Sequence, residues 1–202
     1  MKLRSRLMLT AYSGATLLVA PLGAAFLCYK KRRDPPYGRR ALELLGCYHG
    51  LPQPNAPCVW FHTVSVGEAI AARPLIKEFI ARHPELYVIV STTTTTGARE
   101  VQKIEGAHHV FAPLDSPLAV SAFIRRFNPS HLFIMETELW PVLLHEAYRQ
   151  GVLTVVFNAR MPEKTCLKYL NHQILSRDLI ATPLDLVLCQ TKDDGERFTR
   201  IG

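Results

Sequence analysis

Apolar residues fall in short unbroken runs along most of the chain, separated by longer stretches where they recur at helical spacing. The runs cover residues 59–64, 87–92, 109–111, 132–135, 154–157 and 186–189. They are rich in Val, Ile and Phe and lack polar alternation, the pattern of parallel strands buried on both faces. Helical spacing marks 68–82, 97–104, 116–127, 139–150, a region near 167–181, and 193–200. In the first of these, Ile70, Phe79 and Ile80 form an apolar stripe, and Arg73, Lys77 and Arg82 a basic side. Strands alternating with helices predict βαβ units: an α/β fold with a Rossmann-like, doubly wound parallel sheet and helices on both faces.

The N-terminal region breaks this pattern. No charged residue occurs from Leu7 to Tyr29, close to the ~20 apolar residues that cross a bilayer. Lys2, Arg4 and Arg6 precede the stretch, and Lys30, Lys31, Arg32, Arg33, Arg39 and Arg40 follow it. The heavier basic cluster lies on the C-terminal side, which predicts a membrane anchor with the globular part in the cytoplasm. A secretory signal is a rival, with Gly23-Ala24-Ala25 mimicking a cleavage site, but the basic residues beyond it oppose export. Gly14, Pro21 and Gly23 weaken an ideal spanning helix, so a tilted or monotopic insertion stays open. Pro35 and Pro36 end the segment, residues 39–45 read as a short amphipathic helix along the bilayer surface, and Pro52, Pro54 and Pro57 stiffen a linker. The organisation is therefore an anchor with basic flanks over 1–33, a linker with a short surface helix over 34–57, and one globular domain over 58–202.

Composition adds three constraints. A length of 202 residues suits one well-buried domain and is short for two. The net charge of +7 suits anionic lipid head groups; no aromatic residues interleave with Arg and Lys as nucleic-acid stacking requires, so no nucleic-acid partner is expected. The 5 cysteines lack any CxxC spacing and fit reduced thiols, not a disulfide framework or a zinc site.

Candidate chemistry gathers where strands meet helices, the edge at which α/β proteins bind ligands. Ser65-Val66-Gly67-Glu68 joins the first strand to its helix. It reads as a capping box, and equally as a general base, Glu68, at a crevice mouth. Glu136 and Glu138 follow the fourth strand in IMETELWP, near the same place; clustered carboxylates shift one another's pKa and serve acid–base or cation-stabilising roles. The bland alternative makes Glu138 a helix-start acid and Glu136 a solvated loop charge. The hydroxyl-rich loop STTTTTG, residues 91–97, offers Thr94, Thr96 and the Gly97 backbone to a phosphate or sugar, or simply a Thr N-cap; it lacks the Lys of a P-loop. Arg160, after the fifth strand, reaches the same rim and meets an anion or a structural partner. His62, His108, His109 and His131 have no metal-ligand spacing, so no metal and no cofactor are expected.

HTVSVGEAIAA, STTTTTGARE, IMETELWP and NARMPEKTCLKY, taken in that order, resemble the N-terminal half of 3-deoxy-D-manno-octulosonic acid (Kdo) transferases. These are membrane-anchored enzymes of lipopolysaccharide inner-core synthesis. The resemblance runs from about Asn55 to Gly202 and includes the N-terminal anchor. It implies the N-terminal, acceptor-binding domain of a two-domain GT-B glycosyltransferase, moving Kdo from CMP-Kdo onto lipid IVA, the lipid A precursor. It implies Glu68 as proton acceptor and Glu138, with Glu136 as second choice, as the other functional acid. Ser65, Gly67, Thr94, Thr96, Gly97 and Arg160 follow as substrate-binding candidates. The sequence departs from the family at Thr95, where proline is usual, at Pro162, where serine is usual, and at Thr63, where alanine is usual.

In the family, the region of Gly202 is where the N-terminal domain gives way to the CMP-Kdo-binding domain. The expectation is therefore that the donor domain is absent and that this chain alone is an incomplete, inactive fragment. Two alternatives are a non-catalytic, acceptor-lipid-binding membrane protein and a different GT-B enzyme whose donor domain is supplied separately.

Overall fold

The computed structural model describes residues 1–30, 40–51 and 53–202. The basic residues Lys31, Arg32, Arg33 and Arg39, the Asp34–Tyr37 break and Pro52 lie outside the described residues. Helix α1 spans Leu3–Lys30. The globular part alternates β1 (Cys58–His62), α2 (Val66–Arg82), β2 (Tyr87–Thr92), α3 (Thr95–Val101), β3 (Ala107–Phe111), α4 (Pro117–Phe127), β4 (Pro129–Met135), α5 (Pro141–Arg149) and β5 (Leu153–Ala159). After β5 come α6 (Glu163–Asn171), the short α7 (Gln173–Ser176), a π-helical turn (Arg177–Ala181), β6 (Leu186–Cys189) and α8 (Lys192–Ile201).

All pairings are parallel, and the strand order is β3-β2-β1-β4-β5-β6. This is the doubly wound order, with its topological switch point between β1 and β4. The expected α/β architecture is therefore borne out. Because side chains alternate across a strand, each sheet face builds its own core. Val59, Phe61, Val88, Val90 and Phe157 pack against Ala69, Ala72 and Ile76 of α2 and Val101 of α3. On the opposite face Trp60, Ile89, Leu132, Ile134 and Val156 pack against Val120, Phe123 and Phe127 of α4 and Val142, Leu143 and Leu144 of α5. Phe61 stacks on Phe133 across β1 and β4, with centroids 4.8 Å apart, clamping the two strands that flank the switch point.

The expected short helix near residues 39–45 is found as a 3-10 turn over Ala41–Leu45, docked on the domain. Ala41, Glu43 and Leu44 are buried. Glu43 is paired with Arg40 at 2.5 Å and accepts the Phe111 N–H at 2.7 Å, while Arg40 donates to the His109 carbonyl at 2.8 Å. A buried carboxylate with a guanidinium partner and a backbone donor seals the end of edge strand β3. Gly46 follows with φ +85°, where a Cβ would come within 2.7 Å of the Ala119 carbonyl, so only glycine makes this turn.

Helix α1 is long and apolar enough to cross a membrane by length and composition. It packs on the domain through Leu9, Ala20 and Ala24, the last joining Leu44, Ala98 and Phe111. Tyr12 donates to Asp115 at 3.0 Å.

Candidate active site

The connection between β1 and α2 begins where the strand leaves its ladder. The Thr63 N–H still reaches the Ser91 carbonyl at 3.0 Å, but the Val64 N–H turns away to a side chain, the Glu68 carboxylate, at 2.8 Å. Ser65 is the N-cap of α2: its Oγ accepts the Glu68 N–H at 3.2 Å, and its own N–H donates to Glu68 at 3.2 Å, a complete capping box. The Ser65 hydroxyl donates to the same Glu68 oxygen at 2.7 Å. Three donors thus hold one carboxylate that is only 8% exposed. A carboxylate offers about four lone-pair sites. Oε1 takes both Ser65 donors and Oε2 only the Val64 N–H, which leaves Oε2 with capacity for one more proton donor. The capping reading of Glu68 is geometrically met, and it fixes the carboxylate without exhausting it.

The hydroxyl loop supports this arrangement from β2. Thr93 gives both its N–H (3.1 Å) and its hydroxyl (2.8 Å) to the Val64 carbonyl, and Thr63 bonds the Ser91 carbonyl at 3.1 Å. Thr94 is the N-cap of α3, accepting the Gly97 N–H at 3.0 Å, while the Thr96 hydroxyl turns back to Thr94 at 3.3 Å. A Cβ at Gly97 would sit 3.0 Å from the Thr94 hydroxyl and 3.1 Å from the Thr92 side chain, so glycine permits the close approach. Thr94 and Gly97, candidate ligand contacts by sequence, are occupied with capping here. Thr95 falls at the first helical position, where proline is also well accommodated, so that departure leaves the turn intact. Gly67 is open: a Cβ there would meet only the Ser65 hydroxyl, at 3.8 Å.

Across the switch point, β4 is followed by Glu136, whose φ is +57°, and β5 carries Asn158 at φ +54°. Left-handed backbone in a glutamate is unusual and costs roughly 1 kcal/mol; the Glu136 N–H bonds the Phe157 carbonyl at 3.0 Å, so the neighbouring strand enforces the turn. Glu138 does not cap α5. Its Oε2 accepts the indole N–H of Trp140 at 2.9 Å, and the cap is supplied from a distant loop by Asp115, which takes the Val142 and Leu143 N–H groups at 3.3 and 2.8 Å. Partial burial raises Glu138 above its ordinary carboxylate value, the Trp140 N–H opposes that rise, and the charges of Glu68 and Glu136 add to it. The three acids therefore share one electrostatic environment. Arg160 lies exposed at the same rim, where its carbonyl accepts the Thr137 hydroxyl at 3.2 Å. Pro162 supplies the carbonyl for the Thr165 and Cys166 N–H groups at 2.9 and 3.0 Å, opening α6.

Beneath the acids lies a buried relay that sequence reasoning did not assign. Trp60 donates its indole N–H to the Ser91 hydroxyl at 2.8 Å, and that hydroxyl lies 2.9 Å from His62 Nδ1. Ser91 has one hydrogen to give; giving it to Nδ1 leaves the imidazole hydrogen on Nε2, an atom with no hydrogen-bond partner among the described residues. Burial pushes the His62 pKa down to about 3. The hydrogen-bonded chain ends at His62, whose ring packs edge to face on Trp140, the residue that holds Glu138, with centroids 4.8 Å apart. The visible signal was the Trp inside IMETELWP. A cavity of about 750 Å³ lies between β6 and α8 and touches none of these acids. Among the described residues no three His, Cys, Asp or Glu side chains converge as a metal site requires.

A doubly wound parallel sheet with acids on both sides of its switch point defines a Rossmann-type α/β domain with an acidic edge at that point. The profile of the 3-deoxy-D-manno-octulosonic-acid transferase (kdotransferase) family matches residues 39–202. The chain belongs to that family. Among its relatives, the 3-deoxy-D-manno-octulosonic acid transferase of Haemophilus influenzae is 30% identical over 193 residues, 95% of this chain and 45% of that protein. The probable mitochondrial enzyme of that name from Arabidopsis thaliana is 32% identical over 191 residues, 93% of this chain and 42% of that protein. The Bordetella pertussis relative is 36% identical over 160 residues, 75% of this chain and 36% of that protein. The chain thus spans about half the length of the first two relatives, 45% and 42%.

Proposed function

We propose that this chain forms the acceptor-side half of a Kdo transferase of lipopolysaccharide synthesis, acting at the cytoplasmic face of the inner membrane with α1 as its membrane attachment. The acceptor is lipid IVA and the donor CMP-Kdo, the latter held by a domain corresponding to the remaining length of the relatives. Glu68 takes the proton of the 6′-hydroxyl of lipid IVA. That oxygen bonds the anomeric carbon of Kdo from the face opposite CMP, and the bond to the CMP phosphate oxygen breaks, giving inversion. Glu138 stabilises positive charge developing on the sugar, Glu136 standing beside it, and Arg160 meets an acidic group of either substrate. Ser65, Gly67, Thr94, Thr96 and Gly97 shape the crevice wall. No cofactor is assigned.

What supports this reading is the pairing of β1 with β4, which brings Glu68 and the Glu136–Glu138 turn to one sheet edge, the charges of Glu68 and Glu136 adding to the raised pKa of Glu138. A carboxylate at a crevice mouth with one unfilled acceptor site suits a general base. The completed capping box of Glu68 favours a second reading, an acceptor-lipid-binding protein without catalysis. The test has two arms. A full-length protein containing these residues is expected to transfer labelled Kdo from CMP-Kdo to lipid IVA, and the 202 residues alone to bind lipid IVA saturably without transferring. Absence of transfer by the full-length protein defeats the first reading; absence of saturable binding defeats both.

A further inference from the structure

Helix α1 is apolar on all sides, yet it is docked on only one of them. Its packed positions, Ser5, Leu9, Ala20, Ala24 and Leu27, lie on one stripe at helical spacing. On the opposite stripe Leu7, Leu18, Leu22 and Phe26 are exposed, Leu18 by 76% and Leu22 by 71%. A helix that is hydrophobic all round has both faces covered, and here the domain covers one.

The docking points are spread over the whole helix. The Lys2 backbone N–H donates to Asp178 at 2.8 Å at one end, Tyr12 donates to Asp115 at 3.0 Å in the middle, and Ala24 sits with Leu44 and Phe111 at the other end. From Lys2 to Ala24 is about 33 Å of helix at 1.5 Å per residue. The hydrocarbon core of a bilayer is about 30 Å thick. A crossing helix would put Asp178 and Leu44 on opposite sides of the membrane, although both belong to the same domain. Spanning and this docking exclude each other.

We propose that α1 lies in the plane of the membrane, its Leu7–Leu18–Leu22–Phe26 face immersed in the acyl chains of one leaflet and Lys2, Arg4 and Arg6 at its anionic head groups. The chemistry is that of an interfacial helix, with apolar contact supplemented by basic residues. The feature that commits the face to lipid is the charge pattern: 23 consecutive uncharged residues, 7–29, bordered by that basic cluster. The middle of α1 touches Asp115, which also caps α5 just after the Glu138 turn. An in-plane helix therefore holds the carboxylate crevice beside the leaflet. The proposal deepens the membrane part of the function proposed above and rests on it only for the presence of a membrane; its test does not read transfer, so the two fail separately.

The test is a Lys2→Cys variant of the full protein in spheroplasts, treated with a membrane-impermeant maleimide, with the exposed native Cys47 as internal reference. Protection of both thiols until lysis is expected. Labelling of the Lys2→Cys site before lysis, with Cys47 still protected, means a spanning helix and overturns the proposal. The second arm is flotation of the purified protein with phosphatidylethanolamine–phosphatidylglycerol vesicles. Leu18→Glu/Leu22→Glu is expected to lose at least tenfold in vesicle-bound fraction with an unchanged melting temperature. Undiminished flotation of that variant, or a wild-type dimer in vesicle-free buffer that the variant dissociates, shows that the face meets something other than lipid and overturns it.

Discussion

Replacing Glu68 by glutamine separates the cap from the base. The carboxylate accepts from the Val64 N–H at 2.8 Å, the Ser65 N–H at 3.2 Å and the Ser65 hydroxyl at 2.7 Å. Glutamine has one oxygen. If it serves the two Ser65 donors, as in an ordinary S-x-x-Q box, the amide NH₂ faces the Val64 N–H and one donor is orphaned. The capping motif alone implies a neutral exchange; the Val64 bond makes it costly. Losing a hydrogen bond to a charged group at an 8% exposed residue is worth about 2 kcal/mol, a drop of roughly 4–8 °C in melting temperature for a domain of this size. Loss of a general base costs about 10²–10⁴ in rate. The assay is Kdo transfer by a full-length protein carrying Glu68→Gln, at saturating lipid IVA and well below its melting temperature, beside a calorimetric scan. A melting shift of the stated size with kcat within about tenfold of wild type would refute the base assignment and leave Glu68 a structural cap.

Three further outcomes follow from the same geometry. Trp140→Phe removes the 2.9 Å indole N–H that opposes the raised pKa of Glu138; if ionised Glu138 is required, the acid limb of kcat/KM moves to higher pH, and an unmoved limb separates Trp140 from that role. Acid stability is set partly by His62 and His109, which burial pushes from 6.5 to about 3, His109 with help from Arg40. Depressed histidine values mean that the unfolded chain binds more protons below pH 6.5, so stability falls as pH drops from 6.5 towards 3 and is flat above. Each group contributes up to about 1.4 kcal/mol per pH unit, and urea titrations of His62→Phe are expected to show a shallower acid slope than wild type. Glu136→Asn relieves a φ of +57° that asparagine tolerates better; a gain of about 0.5–1 kcal/mol in denaturant stability is expected with reduced transfer, whereas a loss of stability contradicts the strain argument.

The strands at residues 87–92 and 186–189 match their sequence-based bounds because apolar runs ending in Thr or Cys carry their own signal. Strand β3 begins at Ala107, earlier than its apolar run, since His108 finds its place on an edge by stacking on Tyr87 at 3.9 Å. Strand β1 ends at His62, not at 64, because the Val64 N–H leaves the ladder for Glu68. Helix α5 starts at Pro141, later than expected, because its cap comes from Asp115, which lies 27 residues before Val142. Local periodicity carries the strands and the helix identities. It cannot carry a cap from another loop, a carboxylate held by an indole, or a helix docked lengthwise on its own domain. The acids were legible as acids at strand ends near one place; the bonds that hold them were not, since the Val64 N–H and the Trp140 indole reach them only in the folded turns.

The two packed layers of the sheet have a consequence for how the crevice changes over time. Glu68 stands at the head of α2, seated on Ala69, Ala72 and Ile76, whereas the Glu138 turn leads into α5, seated on Val142, Leu143 and Leu144 on the other face. Each acid has its own helix beneath it, but Met135, just before the Glu138 turn, packs in the α2 layer and His62 meets Trp140, so sequence drift beneath one acid also reaches the other.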